Sequence, residues 1–263
     1  MIISGQQNLQ GSITSVPQRI VSLVPSLTEL LFDLGCSKQM LACTKFCIHP
    51  LPNVNTLHKI GGTKSPKVSK ILHMQPDLII ANKEENRHDD VVALASQVPV
   101  WVTDINTIND YVNMLHQWRG TIAKANTVTL HLNRLQRLGH SLHKRYKDIR
   151  VAYIIWHKPW MAAGSSCFIS SVLANLGFIN VFSDFQRYPE ISVSSLQELK
   201  PDVIMLSSEP FPFKQSHAMQ LQKLCPHSKI ILVNGELFSW YGSRLLYWNH
   251  YHKELDQLLG MFS

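Results

Sequence analysis

The 263-residue chain lacks any apolar run near the about 18 residues that a membrane-spanning helix needs. Val151 to Trp156 and Ile230 to Val233 are typical of its longest runs, so no bilayer span is expected. No Cys-x-x-Cys occurs, and the five cysteines (Cys36, Cys43, Cys47, Cys167, Cys225) are an odd number. A chain of this length buries a core without staples, so no disulfide framework is expected. With 12 Gly and 13 Pro it is neither collagenous nor of low complexity, and 45% hydrophobic residues exclude disorder. Charge of one sign is nowhere concentrated: 25 Lys+Arg against 18 Asp+Glu leave 25 − 18 = +7, but the basic residues are scattered. Nucleic acid is therefore not an expected partner. The one basic cluster, His143 to Lys147, suits a helix C-terminus. The opening stretch has neither a basic n-region nor an apolar h-region, so no secretory signal is expected in it.

Enzyme signatures are missing as a class. Gly61-Gly62-Thr63-Lys64 fails the Walker spacing, no Gly-x-Gly-x-x-Gly follows a strand, and no Gly-x-Ser-x-Gly or His-Glu-x-x-His occurs. The Gly pair reads instead as a tight turn that lets backbone approach a ligand.

What is present is alternation. Short apolar runs at Ile20 to Val24, Leu78 to Ala81 and Val100 to Thr103 end in turn or polar residues and alternate with helical patterns, the signature of parallel strands with crossover helices. The series repeats at Val151 to Trp156, Val203 to Leu206 and Ile230 to Val233. Arg19-Ile20-Val21 answers Arg150-Val151-Ala152 at an offset of 131, as Val100-Trp101-Val102 answers Ile231-Leu232-Val233; Pro76-Asp77 answers Pro201-Asp202 at 125. The expected fold is α/β: two Rossmann-like lobes of like topology. Residues 107 to 147 carry apolar positions at three-to-four spacing and no Pro, which predicts a helical crossover. Gly120 divides it, and from Thr121 to Lys147 a continuous, stiff helix of about 40 Å is expected. The boundaries are thus 18–106, 107–147 and 148–263.

In open parallel sheets, ligands sit outside the carboxyl ends of the strands. The loops predicted there carry Pro25, Ser26, Lys45, Phe46, Gly62 and Thr63 in the first lobe. In the second they carry Trp156, His157, Trp160, Tyr188, Phe213, Trp240, Tyr241 and Arg244. Aromatic residues crowd the second set and offer stacking walls to a flat, partly apolar ligand, unless they simply cap the core. Glu84 and Glu209 each stand seven residues after the aspartate of a Pro-Asp motif, so the repeat places one acid in the same loop of each lobe. Such a pair suits docking on a two-fold symmetric partner bearing Arg or Lys; helix N-caps and a catalytic pair are the competing readings. Cys43, Cys47 and His49 are the nearest approach to a metal-ligand cluster, and buried thiols explain the cysteines equally well; no metal site is expected. His49 and His157 lie in predicted cleft loops, where axial coordination of a metallocofactor competes with the commoner reading of a lone histidine as a surface or hydrogen-bonded core residue.

Several segments carry a family resemblance: RIVSLVPSLTELLFDLG (19–35), TKFCIHP (44–50), GGTK (61–64), PDLIIANKEENR (76–87), IWHKPW (155–160), RYPE (187–190), LSSEPFPF (206–213) and FSWYGSR (238–244). From about Arg19 to Leu259 the chain resembles the substrate-binding proteins of ABC importers for cobalamin and iron chelates, whose lobes are joined by a rigid backbone helix. The resemblance implies a monomeric, non-enzymatic protein that holds a corrinoid such as cobalamin between its lobes, against Trp156, Trp160, Tyr188 and Trp240. It matches Glu84 and Glu209 to the glutamates that engage the ABC permease dimer. It also implies a periplasmic location, with the cytoplasm as the alternative because no signal is read in the opening stretch. Haem or a ferric siderophore would keep the class and change the ligand, and Lys45, Lys64, Lys158 and Arg187 would suit the anionic chelate. A cytosolic corrinoid-handling protein or enzyme using Cys47 and His49 is the alternative of a different class.

Overall fold

The computed structural model describes residues 2–4 and 15–261. The chain divides into two compact units, residues 1–105 with 109–134 and residues 106–108 with 135–263.

In the first unit, β1 (Ile2–Ser4), β2 (Ile20–Ser22), α1 (Pro25–Asp33), β3 (Met40–Cys43) and β4 (His58–Lys59) are followed by the small hairpin β5 (Gly61–Gly62) and β6 (Ser65–Pro66). Then come α2 (Val68–His73), β7 (Leu78–Asn82), α3 (His88–Ala95), β8 (Val100–Thr103) and α4 (Ile108–Trp118). The six-stranded sheet runs β1-β8-β7-β2-β3-β4, and every pairing is parallel. Every β7 position is buried, which is why that strand is an unbroken apolar run rather than an alternating one. Val21, Leu23, Ile79, Ala81 and Val100 close a core against Ile71 of α2 and Leu94 of α3.

The crossover differs from the continuous helix read in the sequence. α5 (Ala125–Leu142) has 18 residues, about 27 Å at 1.5 Å per residue, and stops short at both ends. At its start the chain loops back: Gly120 takes φ +84°, its N–H bonds to the Ala123 carbonyl, and the Trp118 carbonyl accepts from Thr121, Ile122 and Ala123. At its end Lys144 takes φ +54° and donates its backbone N–H to Asn175, ending the helix before the basic cluster. Nor is the crossover a unit of its own, since the division falls within α5 between Arg134 and Leu135.

The second unit continues through β9 (Arg150–Trp156), β10 (Met161–Ala162), α6 (Phe168–Leu176), β11 (Ile179–Asn180), α7 (Val193–Leu199) and β12 (Val203–Ser207). It ends with α8 (Gln215–Leu224), β13 (Lys229–Val233), α9 (Glu236–Ser239) and α10 (Trp248–Leu259). Its sheet runs β10-β9-β12-β13 with β11 added to β9; only β10 is antiparallel. α6 ends on Gly177 at φ +96°, where the Phe178 N–H returns to the Leu173 carbonyl, a conformation that L side chains strain to adopt.

The repeat is physical as well as textual. Ile20 pairs with Leu78 as Val151 pairs with Val203, which preserves the offsets of 131 and 125. Asp77 accepts the backbone N–H groups of Gln18 and Arg19, and Asp202 that of Arg150, so each Pro-Asp aspartate caps the opening of the neighbouring strand. The two arginines then reach the carbonyls of Met74 and Leu199, themselves 125 apart. One correspondence needs correcting. Ile79 pairs with Val100 but Ile204 pairs with Ile230, so the third strands are related by 130 rather than 131: against the first unit, the second has six residues fewer between its first two strands of the repeat and five more between the next two. Among the described residues, no helix is long and apolar enough to cross a membrane.

Candidate functional site

The sequence-selected residues fall into distinct groups at the carboxyl ends of the two sheets. In the first unit, Pro25 and Ser26 open α1 and are buried, Pro25 lying in the first turn, where its missing N–H costs nothing. Lys45 and Phe46 follow β3 on the surface, with the Lys45 ammonium 5.1 Å from the Phe46 ring centre. Gly62 belongs to this group: a Cβ there would lie 3.2 Å from Phe46 Cε2. Thr63 is half-buried and presents its carbonyl to Asn86 Nδ2 at 3.0 Å, and the same amide also reaches the Leu23 carbonyl.

In the second unit four selected residues come together. Trp160 stacks on Phe213 at 5.9 Å with the rings nearly parallel, and His157 lies 4.4 Å from Trp160. Trp156 meets Phe211 edge-on at 5.7 Å. Phe211 and His217 complete a six-ring cluster, His217 standing 5.3 Å from both His157 and Phe211. Trp156 keeps about two-fifths of its surface exposed at 38%, whereas Phe213 is buried. The His217 Nδ1 accepts the Lys214 backbone N–H at 2.9 Å, so the neutral ring carries its proton on Nε2. Burial, with His217 and Lys158 beside it, lowers the His157 pKa and favours its neutral imidazole.

The remaining selected residues of this unit make contacts of their own. The Arg187 guanidinium lies 5.5 Å from the Tyr188 ring and is tied to Asn106 Oδ1 and the Ser166 carbonyl. Arg244 is buried, facing Glu236 at 3.3 Å with the Trp240 and Tyr247 rings at 5.7 and 4.8 Å. Tyr241 is buried edge-on against Phe168.

Glu84 and Glu209 do occupy the same turn. Asn82 Oδ1, at the end of β7, accepts the Glu84 N–H at 2.8 Å, and Ser207 Oγ, at the end of β12, accepts the Glu209 N–H at 3.3 Å. Asn82 and Ser207 are 125 apart, a signal the sequence carried and the reading of the acids alone passed over. Neither acid caps a helix: the residues preceding α3 and α8 are Arg87 and Lys214, which removes the N-cap reading. The two acids are not equally exposed. Glu84 is exposed, but Glu209 is half-buried and accepts Ser239 Oγ at 2.6 Å. Burial raises the Glu209 pKa against the lowering effect of that hydrogen bond.

The loop after β3 holds a thiol cluster. Lys59 Nζ donates to Cys43 Sγ at 3.3 Å and to the Cys47 carbonyl at 3.1 Å; Cys47 Sγ lies 3.2 Å from the hydroxyls of both Thr28 and Thr44. All five cysteines are free and buried. Among the described residues, no group of three or more His, Cys, Asp or Glu could hold a metal ion. A cavity of about 750 Å³ in the first unit, lined by Lys83, Trp101, Asp104, Asp110 and Gln117 among others, includes none of the selected residues.

Two largely parallel sheets carry aromatic and acidic loops at their strand ends, surfaces that suit the holding of a solute. The chain belongs to the periplasmic binding protein family, which it matches over residues 20–225. It is 26% identical over 243 residues to the vitamin B12-binding protein of Pectobacterium carotovorum subsp. carotovorum (strain PC1), covering 88% of this chain and 86% of that one. The structure of the periplasmic vitamin B12 binding protein of Vibrio cholerae is similar at a TM-score of 0.76 and 20% identity, covering 93% of this chain and 97% of that one. A periplasmic heme binding protein from Pseudomonas aeruginosa is similar at a TM-score of 0.73 and 20% identity, covering 94% and 93%.

Proposed function

We propose that this chain is a non-catalytic, periplasmic binding protein for a corrinoid such as cobalamin, which it delivers to an ABC permease dimer. The observation that carries the reading is the ring cluster of Trp156, His157, Trp160, Phe211, Phe213 and His217 at the carboxyl ends of β9 and β12. A corrinoid is broad, partly apolar and rich in amides, and binds by stacking and by hydrogen bonds to amide and backbone groups rather than by charge. The relatives named for vitamin B12 support the same ligand. Glu84 and Glu209 engage basic residues of the permease, supported by their shared turn on the two sheets.

Calorimetric titration with cyanocobalamin, haemin and a ferric siderophore in parallel tests the ligand. Saturable one-to-one binding of cyanocobalamin is expected, and Trp160→Ala should weaken it by about tenfold or more if that ring is an anchor. Silence with cyanocobalamin and binding of haemin would replace the corrinoid by haem. That second reading is favoured by His157, whose neutral imidazole is the form that ligates iron axially. An anionic siderophore is less favoured, because Arg187 is already engaged by Asn106 and Ser166.

A further inference from the structure

Corrinoid binding leaves the thiol cluster after β3 without a role. Cys43 and Cys47 are four residues apart, both buried, and their side chains belong to one cluster with Lys59, Thr28 and Thr44. Lys59 clamps the pair: its ammonium touches Cys43 Sγ and holds the Cys47 and Val54 carbonyls, fixing both ends of the segment between the thiols. The hydroxyls of Thr28 and Thr44 flank Cys47 Sγ. Nothing in the aromatic cluster or the acidic turns depends on this arrangement, and packing alone does not call for a cation beside a thiol.

We propose that Cys43 and Cys47 are a reversible dithiol–disulfide pair, oxidised by small hydroperoxides, with Cys47 the attacking thiol and Cys43 the resolving one. The roles follow from the surroundings. Cys43, with the hydroxyls of Thr28 and Thr44 each 3.2 Å from Cys47 Sγ, lowers the Cys47 pKa in spite of its burial, whereas Cys47 and burial push the Cys43 thiol up against the pull of Lys59, so Cys47 is the more acidic of the pair. Burial raises the thiols of Cys36, to about 11, and of Cys225, leaving them unreactive by comparison. In the first step the Cys47 thiolate attacks one peroxide oxygen, the O–O bond breaks, and hydroxide leaves and is protonated to water. In the second, Cys43 Sγ attacks the Cys47 sulfenic acid, forming the S–S bond as a second water departs with the Cys43 proton. Two thiols lose two electrons and hydrogen peroxide gains them. Both cysteines are buried, which restricts the reaction to small, uncharged oxidants and protects the pair from bulky disulfides. The segment enclosed by the bond carries Lys45 and Phe46, so oxidation fixes the surface that those side chains present.

The test uses the full chain, reduced and then treated with hydrogen peroxide, unfolded in an alkylating reagent and digested with trypsin. Cleavage after Lys38, Lys45 and Lys59 separates the two cysteines, so the expected product is the peptide 39–45 joined to the peptide 46–59, reversible by a phosphine. Cys36, Cys167 and Cys225 should carry the alkyl group. Cys43→Ser should trap Cys47 as a sulfenic acid that dimedone labels, and Cys47→Ser should leave Cys43 unlabelled. Alkylation of both Cys43 and Cys47 after peroxide treatment, or a crosslink to another cysteine, overturns the proposal. Should Cys43→Ser fail to fold, the wild-type peptide map decides alone.

Discussion

Acidification should destabilise this protein through one buried histidine. His131, on α5, is 4% exposed, and its Nε2 lies 2.7 Å from the Tyr111 hydroxyl of α4. Burial, with a lesser contribution from Arg134 and against the pull of Asp33, lowers its pKa from 6.5 to about 4. The unfolded chain therefore takes up this proton as the pH falls through 6.5, and the folded chain only near 4. Stability is full above pH 6.5 and declines between 6.5 and 4. Integrating that window from pH 7.5 to 4.5 gives a loss of about 2.5 kcal/mol from this one group. Other histidines titrate too, so the informative quantity is a difference. Urea unfolding at both pH values should show wild type losing about 2.5 kcal/mol more than His131→Gln. Tyr111→Phe, which keeps the ring buried but removes the hydroxyl, should retain most of the wild-type dependence because burial is the leading cause. Equal pH dependence in wild type and His131→Gln would refute the reasoning.

Three further outcomes are expected. Asp256→Asn leaves Arg145 facing a neutral amide where a fully buried carboxylate now meets its guanidinium through two hydrogen bonds, and should cost about 3 kcal/mol in urea unfolding; the double replacement Arg145→Met with Asp256→Leu should cost less. Asp77→Ala removes two strand-opening hydrogen bonds and Asp202→Ala one, so the first variant should be the less stable by about 1 kcal/mol when the two are melted side by side. Gly177→Ala puts a Cβ 2.7 Å from the Lys144 Cα at a positive φ and should lower stability by more than about 2 kcal/mol.

The sequence made the sheets legible because parallel strands buried on both faces are short apolar runs with polar ends. Leu78 to Ala81 and Val203 to Leu206 are observed with one residue added, and Val100 to Thr103 as read. β3 escaped because Met-Leu-Ala-Cys follows a single 3-10 turn with no strong punctuation, and β10 and β11 are two residues each. Gly120 divides the crossover where the sequence put the break, but the helix after it was read too long at both ends: the apolar spacing runs on through Ile122, which stays buried in the turn before Ala125, and the left-handed Lys144 stops the helix after Leu142. In the site, the aromatic loops announced Trp156, His157, Trp160 and Phe213 by composition. His217 did not stand out, since it sits inside the helix α8 and reaches the rings only because its first turn packs against them. The difference between Glu84 and Glu209 was invisible for a similar reason, as it is made by Ser239, thirty residues further on.

That difference makes Gly235 a lever on one acid of the pair. The glycine sits where β13 leaves the sheet, its N–H bonded to Ser208 Oγ, and an added Cβ would meet the Ser207 hydroxyl and come within 2.7 Å of Glu209 Cγ and 3.1 Å of Glu209 N. The Ser207 hydroxyl is the group that shapes the Glu209 turn, so Gly235→Ala cannot be absorbed without moving that turn. Overpacking of this kind costs about 1 to 3 kcal/mol, and the half-exposed turn gives way before the buried strand β12 does. If Glu209 docks on the permease, Gly235→Ala should weaken binding to the reconstituted transporter by about tenfold, as Glu209→Ala should, and its effect should add to that of Glu84→Ala. Ligand titration of the same variant should stay within about twofold of wild type, because the six rings of the aromatic cluster are built without Gly235. Unchanged transporter binding in a folded Gly235→Ala protein would separate Glu209 from docking; loss of ligand binding instead would move the turn after β13 into the ligand site.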